Sequence, residues 1–121
     1  MQTKVELADI ASAILDHRTL DARQNTHDFW ADTPDFAQVL KPSQESPTVL
    51  VICAALLELF AARRGQRSPT WTATVGGLDK PLFLVPEFEA VPYQRSRCLR
   101  DAPRPLKERN LFAPSNYLAF A

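Results

Sequence analysis

Apolar positions before Gly65 recur at helical spacing, and after it they do not. Leu7, Ile10, Ala11, Ile14 and Leu15 follow one another at steps that predict an amphipathic helix over about 4–17. Thr3-Lys4-Val5-Glu6 has the form of a capping box, in which the hydroxyl and the carboxylate satisfy two free backbone donors. Thr19 or Asp21 is placed to cap a second helix running to about Ala31, with Phe29 and Trp30 near its end. Thr33-Pro34-Asp35 predicts a short third helix: a capping hydroxyl, proline at the first helical position, then an acid at the positive end. Phe36, Val39 and Leu40 would form its buried face, and Pro42 its stop.

The fourth helix, about 48–64, carries signals at both ends. Ser46 caps it, Pro47 opens it, Arg63 and Arg64 complement its negative end, and Gly65 lies just beyond. Val49, Ile52, Leu56, Leu59 and Phe60 occupy one side, and Leu50, Ala54, Leu57 and Ala61 the other. A helix apolar all round belongs at the centre of a fold. The block from Val49 to Ala62 contains Glu58 and falls short of the roughly 20 apolar residues a bilayer demands, so no membrane is expected.

Beyond Gly65 the pattern changes. Trp71, Ala73 and Val75 alternate with threonines, a strand period, and Gly76-Gly77 breaks it before Leu82-Phe83-Leu84-Val85 offers a second short strand. A hairpin of this size is marginal in water and must lie on the helices or be completed by another chain. Pro86 and Pro92 bracket an extended piece carrying Phe88, and Gln94 to Asp101 suits a turn or two of helix before Pro103 and Pro105. Leu111, Phe112, Tyr117, Leu118 and Phe120 form a last apolar patch that implies docking of the terminus. The fold class is therefore mainly α. A small helical bundle surrounds the 48–64 helix, and an irregular C-terminal arm has room for one short β-hairpin.

Composition fits a single domain, residues 1–65 forming the helical core and 66–121 the arm. An apolar content of 45% is normal for a globular chain. Seven of the ten prolines fall after Gly65, so the arm is stopped by proline rather than turned by glycine. Zero net charge hides a polarity. Residues 1–62 carry four bases against nine acids, a net −5, and residues 63–121 carry ten bases against five acids, a net +5. The simpler reading folds the arm onto the helices so that the two fields meet; the sharper one turns one half towards a charged partner. Two cysteines are too few for a disulfide scaffold and suggest a reducing, cytoplasmic compartment, and the N-terminus lacks the basic start of a signal peptide. Cys53 reads as a small buried hydrophobe. Cys98, flanked by Arg95, Arg97 and Arg100, reads as a partly packed thiol, with a lowered pKa as the alternative.

Little in the chain points to a reaction. His17 and His27 have no further ligand at metal spacing, and Val75-Gly76-Gly77 lacks the Lys-Ser/Thr of a phosphate loop. No metal, no cofactor and no enzymatic activity are expected. The remaining enzymatic alternative is a small enzyme of unknown chemistry pairing His17 or His27 with an acid. Arg95, Arg97, Arg100, Arg104, Lys107 and Arg109, flanked by Tyr93 and Phe112, suit phosphate binding, which makes a nucleic-acid-binding regulator using 95–109 the second reading. The neutral balance of the whole chain instead favours pairing with the acidic helices or with an acidic partner protein.

Trp71-Thr72-Ala73-Thr74-Val75-Gly76-Gly77-Leu78, Lys80-Pro81-Leu82-Phe83-Leu84 and the run from Arg109 to Leu118 together resemble a group of small uncharacterised bacterial proteins. Some of that group are encoded beside nucleotidyltransferase-like genes of toxin–antitoxin type. The resemblance covers about 65–121. It implies an accessory or antitoxin-like protein whose arm binds a partner enzyme. The leading expectation is thus a non-enzymatic protein-interaction module, with another protein or a second copy as partner. Trp71, Phe83, Phe112 and Tyr117 would be its anchors, joined by Arg97, Arg100 and Arg104, because aromatics and arginine dominate binding hot spots. Truncation at Pro103 is then expected to abolish capture and leave a folded monomer.

Overall fold

The computed structural model describes residues 4–43 and 45–119. Its centre is the helix with signals at both ends, here α3 (Pro47–Arg64). The Ser46 hydroxyl accepts from the Val49 N–H at 3.2 Å, and Gly65 ends the helix in the left-handed region at φ +70°. Every residue from Ile52 to Leu57 is fully buried, as a helix apolar on all sides requires. Helices α1 (Leu7–Leu15) and α2 (Thr19–Asp32) pack on each other, and α1 also packs on α3.

The starts of the first two helices differ from expectation. Glu6 is itself the cap of α1, and its N–H donates to the Asp9 carboxylate at 2.8 Å to complete the capping box; Thr3 lies outside the described residues. Thr19 is already inside α2, so neither Thr19 nor Asp21 caps it, and Arg18 holds that position with no side-chain bond to the helix. The link is too short for a separate cap. Two bonds close the end of α1, Arg18 N–H to Ala13 O at 2.9 Å and His17 N–H to Ile14 O at 3.1 Å, and α2 begins at once.

The third helix is a single 3₁₀ turn, Phe36–Gln38, capped by the Asp35 carboxylate on the Ala37 N–H at 3.0 Å rather than by Thr33. Thr33 is drawn inward. Its carbonyl accepts from Arg64, and its buried hydroxyl has no partner among the described residues. Arg64 also donates to Trp30 O at 2.7 Å and lies over the rings of Trp30 and Phe36, at 4.5 and 4.1 Å from their centroids. One cation thus satisfies carbonyls at the C-terminus of α2 and joins the Phe29–Trp30–Phe36–Phe60 cluster. Phe36 is fully buried and Val39 half-buried, but Leu40 is 86% exposed and contributes nothing to a buried face.

The alternating segment after Gly65 is not a strand. Residues Thr70–Thr74 form a 3₁₀ turn, in which the Thr72 hydroxyl donates to Pro69 O and the Thr74 hydroxyl to Trp71 O. Threonine hydroxyls offer the backbone this local alternative to a sheet ladder. The hairpin is likewise replaced. Strand β1 (Leu82–Phe83) pairs in parallel with β2 (Leu111–Phe112), in the register Leu82–Leu111 and Phe83–Phe112. Parallel pairing needs a long crossover. The crossover here contains α4 (Pro86–Ala90), where an extended piece was expected, α5 (Pro92–Asp101) and α6 (Arg104–Lys107). The molecule is a small, mainly helical bundle with a short β element in its arm. Among the described residues no helix is long and apolar enough to cross a membrane.

The arm is part of the core. Leu106, Leu111 and Ala113 are fully buried, and α6 packs on α3. Arg109 is only 6% exposed, and its guanidinium meets both Glu58 oxygens of α3, at 2.8 and 3.0 Å. Truncation at Pro103 removes all of these groups. It is therefore expected to unfold the chain rather than to leave a folded monomer.

Candidate interaction surface

Helix α5 starts where Pro92 presets the backbone and ends before Pro103, so proline spacing alone sets its length. It buries a single residue, Cys98. With Ala102, Cys98 covers Phe83 and Phe112, whose rings meet at 5.6 Å and whose exposure is 8% each. Phe83 and Phe112 thus form the apolar floor on which α5 rests. Burial pushes the Cys98 thiol up; Arg97 pulls it down and Asp101 pushes it up, both by less. The lowered pKa weighed for this residue does not occur, because lost solvation outweighs the nearby cation. Cys53, fully buried in α3, is pushed up by burial, with a smaller push from Glu45, to about 12.

The outer face of α5 is basic and aromatic. Tyr93 is 68% exposed, Arg97 lies over its ring at 5.7 Å, and Leu99 and the preceding Val91 are also open to solvent. Tyr93, Arg97, Arg100 and Arg104 recur at steps of four, three and four. Within α5 that spacing places the first three along one stripe. Arg100 pairs with Asp101 at 3.0 Å and Arg104 with Glu108 at 2.6 Å, both on the exposed surface. Arg95 and Arg97 belong to no ion pair among the described residues. Hydrogen bonding from Arg100, together with its charge, lowers the Asp101 carboxyl, an effect limited by solvent screening.

The remaining anchors lie elsewhere. Trp71 is half-buried on the main core and donates its indole N–H to Val39 O at 2.9 Å. Tyr117 is half-buried as well, burial raises its phenol, and Arg63 grips its carbonyl at 2.6 Å. Phe120 lies outside the described residues. Arg109 leaves the basic group altogether. Besides Glu58 it donates to Thr72 O at 2.9 Å, Pro105 O at 3.1 Å and Val75 O at 3.3 Å, so it serves the interior. Burial would raise the Glu58 carboxyl, but hydrogen bonding and the Arg109 charge prevail and hold it below its ordinary value. Arg109 is the main agent, because the single Thr72 hydroxyl proton is directed at Pro69 O, 2.9 Å away.

Glu58–Arg109 is the one ion pair between the acidic and basic halves among the described residues; the others are local. The two fields therefore do not cancel by pairing. Tyr93, expected as a stacking group beside the basic segment, does stand exposed on this face, whereas the exposed Leu99 was not foreseen as a contact residue. Among the described residues no cluster of three or more His, Cys, Asp or Glu is placed to hold a metal ion. The chain matches no family model, and the comparisons with curated proteins and with solved structures found no match.

Proposed function

We propose that the protein is a non-enzymatic interaction module whose α5–α6 face binds an acidic surface on another protein. One observation carries this reading: α5 buries only Cys98 while presenting Tyr93, Leu99 and a row of arginines to solvent. Exposed aromatic and arginine side chains are the groups that dominate binding energy once a partner excludes water from them. Tyr93, Arg97, Arg100 and Arg104 make the contact, and Phe83 and Phe112 support them from beneath. An antitoxin-like or accessory role beside a nucleotidyltransferase-type enzyme fits this surface, since such a role asks for docking chemistry and no catalytic group of its own.

The test is capture of partners by the full-length protein from its native cell, followed by affinity measurement on whatever is captured. Tyr93→Ala and Arg97→Glu are expected each to weaken binding about tenfold or more, the range of a hot-spot truncation. A captured protein that binds both variants as tightly as the wild type refutes the reading. The stacked Tyr93–Arg97 pair also favours a second reading, a nucleic-acid-binding regulator using 95–109 without Arg109. Binding to a short duplex or single strand that falls steeply between two salt concentrations supports that reading over the first.

A further inference from the structure

A cavity of about 450 Å³ opens where the α1–α2 turn, the β1–α4 junction and the C-terminal segment meet. Ile14, Ala22 and Leu84 give it an apolar floor, each buried against the core. Its charged groups enter from separate elements, Arg23 from α2 and Glu87 from α4, and neither belongs to an ion pair among the described residues. A cavity with an apolar body and a few converging polar groups is the usual form of a small-molecule site.

Two of the three non-glycine residues described at positive φ also line it, His17 at +59° and Leu118 at +57°. His17 closes α1 at a position where glycine is the favoured residue, because a Cβ is crowded in the left-handed region. The chain keeps a histidine there, and that residue lines this cavity. An unfavourable backbone position retained beside a cavity points to a use for the side chain.

We infer that this cavity binds a zwitterionic α-amino acid with a large apolar side chain. Arg23 and His17 receive the carboxylate, Glu87 receives the ammonium group, and the side chain rests on Ile14, Ala22 and Leu84. The carboxylate and ammonium groups of such a ligand match the two unlike charges, and its side chain matches the floor. A purely anionic ligand would leave Glu87 facing its own charge.

The test is a titration of the full chain with L-phenylalanine, 3-phenylpropionate and phenethylamine, read by amide chemical shifts and calorimetry. L-phenylalanine is expected to bind about tenfold tighter than either analogue, and Arg23→Gln and Glu87→Gln each to cost about tenfold, as loss of a charged hydrogen bond does. His17→Gly separates binding from folding: its melting temperature should rise while its affinity for L-phenylalanine falls. The inference is overturned if none of the three probes binds, if the analogues bind as well as the amino acid, or if the shifts map away from His17, Arg23 and Glu87. It is also overturned if His17→Gly binds as tightly as the wild type.

Discussion

Replacing Arg109 with methionine keeps much of the side chain's length and removes its guanidinium, which isolates the contribution of the Glu58 pair. The Arg109 side chain is 7% exposed and that of Glu58 19%. Without the guanidinium the Glu58 carboxylate loses both close donors, and the carbonyls of Thr72, Pro105 and Val75 lose theirs. Breaking a buried pair by removing one partner costs about 3–5 kcal/mol. A domain of this size has only about 5–15 kcal/mol in all. The melting temperature of Arg109→Met should therefore fall by roughly 10–25 °C in a thermal scan followed by circular dichroism. Substituting both Arg109 and Glu58 with methionine should recover most of the loss, because no uncompensated charge remains. The wild type has a further signature in acid. The folded Glu58 carboxyl lies below its ordinary value of 4.5. Its contribution is complete above that pH and is lost as pH falls through the lower folded value. Glu58→Gln should lack that component of acid destabilisation. A loss below about 1 kcal/mol in Arg109→Met would refute the reasoning, since even an exposed ion pair can contribute that much. So would a double variant no more stable than the single one.

Leu56→Ala, at a fully buried position of α3, should cost about 2–5 kcal/mol in urea unfolding. Gly77→Ala should destabilise the arm, because a Cβ there would fall 2.7 Å from the Arg109 Cα; hydrogen exchange at Leu78 and Leu82, whose amides bond across this approach, should rise first. Neither Cys53 nor Cys98 should react with a thiol reagent in the native protein, both being buried with raised pKa values, and both should react once guanidinium unfolds the chain. A chain ending at Pro103 should show no cooperative unfolding transition, having lost Leu106, Leu111 and Arg109 from the interior.

Local chemistry by itself determined the central helix. Ser46 and Pro47 act on the first turn, Gly65 on the last and the apolar run on the turns between, each through neighbours in sequence, so α3 and its central place were legible without any structure. The same holds for the existence of α1 and α2, whose apolar faces carry the helical period, though not for their caps: Glu6 caps α1, and α2 begins without a side-chain cap because the turn before it is short. Only the tertiary structure decided what the arm does. Leu82-Phe83 and Leu111-Phe112 become strands because each supplies the other's hydrogen bonds across a crossover of nearly thirty residues, and no local pattern names such a partner. The threonine-rich turn kept a strand period and still folded as 3₁₀, its hydroxyls having carbonyls within reach. Arg109 and Arg97 are the same residue type in one basic segment, yet the first is the deepest cation of the core and the second faces solvent. That difference depends on Glu58, fifty-one positions away in sequence, and on the close approach of Gly77. The candidate surface was legible as a basic, aromatic stretch. Which of its side chains remain available to a partner was set by what the rest of the fold had already buried.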